Sequence, residues 1–152
     1  DDYSDNAGPI MGRERFRRFV LPGLTRQCEA VHRRGGFFIK HTDGNVWEIL
    51  DDFVEIGIDG WHGIQPAIGM DLARLKKRYG QRLCFFGGVD CDTLISGTPA
   101  DVRREVAYAI EHAAPGGGLV VTTSNVVQAG VSLENYRALR AAVAELGSYR
   151  SR

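Results

Sequence analysis

Residues 83–90, Leu-Cys-Phe-Phe-Gly-Gly-Val-Asp, predict a buried strand that ends in a polar turn. The run 83–86 is apolar without alternation, which is typical of a strand covered on both faces. Gly87, Gly88 and Asp90 are residue types that turns favour. Strands of this kind occur in parallel sheets, whose crossover connections are usually helices. Helices are therefore expected before and after this strand along the chain.

The flanking sequence alternates between short apolar runs and helical periodicity. Three further segments predict strands, of which the second is weak: 37–40, 60–66 and 119–121. Apolar residues recur at helical spacing between them, and Pro22 is expected to kink or break the first helix. The predicted helices cover 13–34, 46–54, 71–79, 98–113 and the segment that follows Ser132.

This order predicts an α/β fold made of one helix followed by four strand–helix units. An open doubly wound sheet and part of a (β/α)8 barrel both fit the pattern. A complete barrel needs about 250 residues, and this chain has 152. No linker or low-complexity segment interrupts it, so residues 1–152 are expected to form a single domain whose last four residues fray.

The composition excludes several classes of protein. Lys plus Arg and Asp plus Glu are 19 each, and 43% of residues are apolar, which fits neither a disordered chain nor a nucleic-acid binder that relies on bulk positive charge. No apolar run approaches the roughly 20 residues that span a bilayer, and the acidic start does not resemble a signal peptide. The three cysteines indicate reduced thiols. We therefore expect a cytoplasmic protein that binds a small molecule, without nucleic-acid or membrane partners.

Polar clusters follow each predicted strand. Ligands of parallel α/β folds bind at the carboxyl ends of the strands, so these clusters are expected to meet at one mouth. Asp, Asn and Gly are also common there for backbone reasons alone. The clusters are residues 41–45 (His-Thr-Asp-Gly-Asn), Gln65-Pro66, 87–90 (Gly-Gly-Val-Asp) and Ser124-Asn125.

His41 and Asp43 are the leading candidates for catalysis. A histidine beside a carboxylate is held in one tautomer and made more basic, so it can exchange protons or bind an anionic substrate. Alternatively, Asp43 caps the helix that begins near Asn45 or Val46, and His41 only packs. Asp90 has the same ambiguity because it also precedes a turn.

Metal and nucleotide motifs are absent from the sequence. His41, Asp43, His62 and Cys91 are possible ligand types, but no CxxC or HExxH spacing occurs, and Cys84 lies in an apolar strand that predicts a core position. No GxGxxG or GxxxxGK[ST] motif occurs either. The sequence thus predicts neither a metal nor a cofactor.

Residues 36–125 resemble the carboxyl-terminal half of the uroporphyrinogen decarboxylase superfamily, and residues 1–19 resemble its approach to the fifth strand. Each motif is weak, but their order and spacing match along nearly the whole chain. The motifs are 41–45 (His-Thr-Asp-Gly-Asn), 57–60 (Gly-Ile-Asp-Gly), 64–66 (Ile-Gln-Pro), 69–72 (Gly-Met-Asp-Leu), 78–80 (Arg-Tyr-Gly), 86–90 (Phe-Gly-Gly-Val-Asp), 97–99 (Gly-Thr-Pro) and 115–118 (Pro-Gly-Gly-Gly).

This resemblance implies strands five to eight of a (β/α)8 barrel, with the amino-terminal half missing. The superfamily includes decarboxylases of uroporphyrinogen III, which need no cofactor, and methyltransferases that use zinc and corrinoids. The decarboxylases' arginine pair, aspartate and tyrosine lie in the missing half, and their late histidine corresponds to Asn125 here. The methyltransferases' His-x-Cys zinc pair corresponds to His41-Thr42-Asp43, and their further cysteine has no match at Ser124-Asn125.

Three hypotheses follow from the residues and the resemblance. The first, which the sequence favours, is a decarboxylase-like lyase that converts uroporphyrinogen III to coproporphyrinogen III, although the sequence leaves open whether this chain alone is active. The second is a corrinoid-dependent methyltransferase relative with an altered zinc site. The third is a non-catalytic half-barrel that forms a homo-oligomer, or pairs with another chain, through open sheet edges. In the first, His41 and Asp43 are catalytic, and a tetrapyrrole or another acidic ligand is bound by Gln65, Asp90 and Asn125.

Overall fold

The computed structural model describes residues 2–148, so the expected fraying of residues 149–152 lies outside the described part. Its sheet has four parallel strands in the order β1-β2-β3-β4, which confirms a partial (β/α)8 barrel. The strands are β1 (Ile39–His41), β2 (Gly60–Ile64), β3 (Cys84–Val89) and β4 (Leu119–Thr123). The helices are α1 (Gly12–Arg15), a π-helical turn (Phe16–Val20), α2 (Leu21–His32), α3 (Leu50–Glu55), a 3-10 turn (Pro66–Ile68), α4 (Leu72–Tyr79), α5 (Cys91–Ser96), α6 (Pro99–Ala113) and α7 (Leu133–Leu146).

The first helix is continuous but contains an irregular turn just before Pro22. Pro22 has no N–H to donate to the carbonyl of Arg18, so the regular hydrogen-bond ladder cannot pass this point. The backbone instead forms a π-type bond from the Leu21 N–H to the Phe16 carbonyl. The proline therefore distorts the predicted helix without ending it.

The core lies between the sheet and the helices. Trp61 and Phe85 are register partners on β2 and β3, and both are fully buried against the helical layer. A second apolar cluster joins Val89 to Val102 and Val106 of α6 and to residues of α7. Among residues 2–148, no helix combines the length and apolar character required to cross a membrane.

The other face of the sheet is open. Register places His41 beside His62, His62 beside Phe86, and Phe86 beside Val120, so these four side chains share a face. Val120 is 43% exposed and Ile39, at the start of β1, is 47% exposed. In a closed barrel this face would line the interior, where layers of side chains fill the space.

Self-association through the open face and edges remains a prediction. Burial of Ile39 and Val120 against a second copy is favourable because it removes apolar surface from water, and lysine on an edge strand opposes pairing. We therefore expect the purified chain to form oligomers and Ile39→Lys to shift it toward monomer. Leu133→Lys, at an exposed apolar position on α7, is the control. Light scattering that finds a stable wild-type monomer contradicts the prediction.

Several element boundaries differ from those predicted. The helix predicted over 46–54 begins at Leu50, and Asn45, not Asp43, accepts a hydrogen bond from the N–H of Trp47 ahead of it. Strand β3 continues through Gly87-Gly88 to Val89, so the predicted turn begins later. Helix α5 was not predicted, because only the Asp90 cap marks it. Helices α6 and α7 begin where they were predicted, and the side chains of Thr98 and Ser132 cap them.

Candidate functional site at the carboxyl ends of the strands

The amino-terminal segment crosses the carboxyl end of β1 and brings an additional carboxylate there. The Tyr3 N–H donates to Thr42 Oγ1 at 3.0 Å, and the Asp43 N–H donates to Asp2 Oδ1 at 2.9 Å. The Asn45 N–H donates to the Asp5 carbonyl at 2.7 Å. These bonds fix Asp2 beside His41 and Asp43, although about forty residues separate them along the chain.

His41 and His62 are joined at their Nδ1 atoms. The two Nδ1 atoms are 2.7 Å apart, and His62 Nε2 lies 3.2 Å from the carbonyl oxygen of Thr123 on β4. Burial, together with the neighbouring His41, lowers the pKa of His62, which favours its neutral ring. We call these three groups the histidine relay: His41, His62 and the Thr123 carbonyl.

The relay determines which nitrogen of His41 carries the proton. A carbonyl only accepts, so His62 Nε2 donates to Thr123 and Nδ1 of the neutral His62 must accept. His41 Nδ1 therefore donates to His62. In a neutral His41 the remaining nitrogen, Nε2, then presents a lone pair.

The His41 Nε2 atom lies 3.7 Å from Asp2 Oδ1 and 3.7 Å from Asp43 Oδ1. Asp2, His41 and Asp43 each offer one ligand atom within 4.8 Å of the others, and we call them the Asp-His-Asp cluster. A lone pair and two carboxylate oxygens repel one another unless a cation lies between them. Either a proton on Nε2 or a bound metal ion satisfies this geometry.

Asp43 is the most enclosed member of the cluster. Its side chain is 17% exposed, and its Oδ1 is buried without a hydrogen bond in the described part of the chain. Its Oδ2 accepts a hydrogen bond from the amide of Asn125. Burial raises the pKa of Asp43, while His41 and the Asn125 amide act in the opposite direction. The buried Oδ1 is thus an acceptor without a donor, aimed at His41.

Gly63 allows the ends of β1 and β2 to approach closely. Its φ is +104°, and a Cβ atom there would lie 2.2 Å from the Thr42 carbonyl oxygen. At the same residue, the register of β2 against β3 shifts, between His62 and Ile64. The indole N–H of Trp61 donates to the same Thr42 carbonyl at 3.1 Å and holds the loop in place. A side chain at residue 63 would separate the two strands that carry the site.

Of the site residues predicted from the sequence, His41, Asp43 and Asn125 come together directly. Gln65 accepts a hydrogen bond from the Gly44 N–H at 2.7 Å, so it supports the loop after β1. Asp90 caps α5 by accepting from Asp92 N–H, and it also accepts from Ala67 N–H. These contacts explain its burial, and its role in substrate binding remains a prediction.

Sequence reasoning missed Asp2 and the role of His62. Asp2 lies in the acidic first residues of the sequence, which were used only as an argument against a signal peptide. His62 is recognisable as a ligand type, but its strand is too glycine-rich to predict which way it faces. The signal that could have found it is its equivalent position: like His41, it lies near the end of its own strand.

A second arrangement, Cys28 with His32 and Asp59, does not form a nucleophilic site. His32 Nε2 bonds Asp59 Oδ2 at 2.8 Å, but the Cys28 sulfur lies 3.9 Å from both ring nitrogens, so it is not aligned with either. Burial raises the pKa of the Cys28 thiol, which opposes the thiolate that such chemistry needs. The group is a packing contact and a hydrogen bond between α2 and the residue that precedes β2.

The fold and the site define a parallel α/β half-barrel whose polar groups gather at the carboxyl ends of its strands. The family model described as Uroporphyrinogen decarboxylase (URO-D) matches residues 2–146. The chain therefore belongs to the uroporphyrinogen decarboxylase family.

Two relatives show how much of such a protein the chain represents. It is 25% identical over 114 residues to a uroporphyrinogen decarboxylase of Chlorobium phaeobacteroides, which covers 70% of this chain and 30% of that protein. A solved methyltransferase from Methanosarcina mazei superimposes with a TM-score of 0.72 and 27% identity, over 88% of this chain and 37% of that one. The chain thus spans about a third of the length of each.

Proposed function

We propose that the Asp-His-Asp cluster binds a divalent metal ion and that the chain forms the metal-binding half of a methyltransferase-type active site. The observation that carries this proposal is the convergence of the His41 Nε2 lone pair with oxygens of Asp2 and Asp43. The likeness to the methyltransferase from Methanosarcina mazei supports it. The geometry favours the second of the three hypotheses over the first.

The residues present fit such an ion. One imidazole nitrogen and two carboxylate oxygens form a donor set that suits Zn²⁺, Mn²⁺ or Fe²⁺, and three protein ligands leave a position for a substrate. The buried Asp43 Oδ1 lacks any other partner in the described part of the chain. When bound, such an ion supplies Lewis acidity that lowers the pKa of a coordinated thiol or water.

The surrounding residues orient the donors. The Asn125 amide holds Asp43 through Oδ2, so Oδ1 faces His41. The Asp43 N–H donates to Asp2 Oδ1 and holds the amino-terminal segment at the site. Outer contacts of this kind are what fix ligand orientation in metal sites.

Within this half of the mouth, the charge does not favour an acidic tetrapyrrole. A substrate with several carboxylates requires cationic groups to neutralise them. This half of the site presents the carboxylates of Asp2 and Asp43. Lys40 interacts electrostatically with Asp2, and no arginine is among the hydrogen-bond or ion-pair partners described for these two carboxylates in residues 2–148. A cation is therefore a better match than a polyanion for this half of the site.

Decarboxylation of a tetrapyrrole is the second candidate function. The family match and the 25% identity to the decarboxylase of Chlorobium phaeobacteroides favour it. In that case the proton rather than a metal would lie on His41 Nε2, and His41 would donate a hydrogen bond to a substrate carboxylate. The two candidates thus differ in which cation the same three residues hold.

Metal binding by the purified chain tests the proposal. We expect one equivalent of Co²⁺ to bind with the visible absorption of a low-coordinate site, and Zn²⁺ to displace it. Asp43→Asn, which keeps an oxygen but removes the charge, is expected to weaken binding more than about tenfold. Glu134→Gln, an exposed carboxylate on α7, should have no effect. No spectral change in excess Co²⁺, or equal affinities for all three proteins, would overturn the proposal.

A further inference from the structure

We infer that His62 is a positioning residue that sets the tautomer of His41 and so makes His41 Nε2 available as a ligand. The role of His41 Nε2 as a ligand rests on the proposed function, whereas the tautomer itself follows from the contacts of His41 and His62 alone. It assigns a role to a residue that touches neither of the two carboxylates of the cluster. It also extends the site from β1 across β2 to β4.

The argument begins at the Thr123 carbonyl. This oxygen can only accept, and His62 Nε2 lies 3.2 Å from it. The 2.7 Å contact between the two Nδ1 atoms requires one donor and one acceptor. Because His62 already carries its proton on Nε2, a neutral His62 accepts at Nδ1, and His41 supplies the proton.

An isolated His41 would not need to carry its proton on Nδ1. Without His62, His41 Nδ1 would face water and Nε2–H would point toward Asp2 and Asp43, where it could donate to either carboxylate. That tautomer satisfies the carboxylates but blocks the nitrogen that a metal needs. His62 removes the alternative by requiring the proton on the opposite nitrogen.

The position of His62 is itself fixed by the backbone. His62 pairs in register with His41 on one side and with Phe86 on the other, so its ring is confined between neighbouring side chains on the open face. The two imidazole rings have centroids 4.8 Å apart and an interplanar angle of 36°. The following Gly63, with its positive φ, allows the strand to bend directly after His62.

Two variants distinguish the effect of the His62 hydrogen bonds from the effect of the space that its ring fills. His62→Gln retains one acceptor and one donor group, whereas His62→Phe retains a ring without either. We expect His62→Phe to lower Co²⁺ and Zn²⁺ affinity by about 10- to 100-fold, as for other outer-sphere partners of metal-bound histidines. His62→Gln should restore most of that loss. His112→Phe, on the outer helix α6, is the matched control.

Nitrogen-15 NMR of the histidine rings gives a readout that does not depend on metal. In the metal-free chain, at a pH where the ring shifts show both histidines to be neutral, we expect His41 in the Nδ1–H form. In His62→Phe it should move toward the Nε2–H form, and in His62→Gln it should stay. A wild-type His41 in the Nε2–H form, or a tautomer unchanged by His62→Phe, overturns the inference. Absence of metal binding with the expected tautomers overturns only the proposed function.

Discussion

Replacing His41 with alanine is expected to reduce Co²⁺ and Zn²⁺ affinity by more than about 100-fold, beyond the effect of losing an outer-sphere partner. The substitution removes the only nitrogen of the Asp-His-Asp cluster and leaves two carboxylates with no neutral donor between them. Isothermal titration of the purified chain measures the change. Where catalytic activity can be assayed, turnover should fall as well.

The fold should survive this substitution. The His41 side chain is 40% exposed and makes one hydrogen bond to His62, so we expect a loss of about 1 kcal/mol in the free energy of unfolding. Urea denaturation of the metal-free protein separates this effect from ligand stabilisation. Unchanged metal affinity and unchanged kinetics would remove His41 from the site, and gross unfolding would show that its role is structural.

Gly63→Ala is expected to have the largest effect on stability, about 3 kcal/mol or more in the free energy of unfolding. An alanine at φ +104° is strained, and its Cβ would lie 2.2 Å from the Thr42 carbonyl oxygen and 2.9 Å from Asp43 Oδ1. The Thr42 oxygen belongs to the backbone, so relief of this contact requires β1 and β2 to separate. We expect weaker metal binding together with the loss of stability.

Gly69→Ala is the matched control for this prediction. Gly69 also has a positive φ, of +83°, but no neighbouring atom of residues 2–148 would lie within 4 Å of a Cβ at this position. It should therefore lose only the cost of the left-handed conformation, about 1 kcal/mol. Denaturant unfolding of both variants gives the comparison. Equal losses would show that backbone conformation, and not the approach of the two strands, accounts for the requirement at residue 63.

The features that the sequence predicts well are those with local causes. Thr98 and Asp101 lie three residues apart and form the cap of α6, so residues 98–101 alone predict the start of that helix. The apolar run that begins at Leu83 predicts its strand because consecutive apolar residues are typical of a strand in a parallel sheet. The end of that strand was predicted too early, since Gly87 and Gly88 are typical of turns yet pair with β4.

The site was predicted only in part because its contacts are long-range. His41 and Asp43 are two residues apart and could be paired from the sequence, and Asn125 was placed at the same mouth by the order of strands. Asp2 reaches the cluster through hydrogen bonds of the amino-terminal segment, for which no spacing rule exists. The contact between His41 and His62 depends on strand register, which a single sequence does not specify.

The π-helical turn at Phe16–Val20 has a consequence for chain length. A regular α-helix rotates by about 100° per residue, so Phe16 would point about 80° away from Leu24 and about 120° away from Cys28. That spread is wider than an ordinary apolar stripe, so the three side chains would not all face the core. The wider turn absorbs one extra residue and returns Phe16, Leu24 and Cys28 to the same buried side. A homologue that has one residue fewer here, and no proline at the position of Pro22, could form a regular helix that buries the same side chains, so a single-residue gap at this point of an alignment need not change the packing.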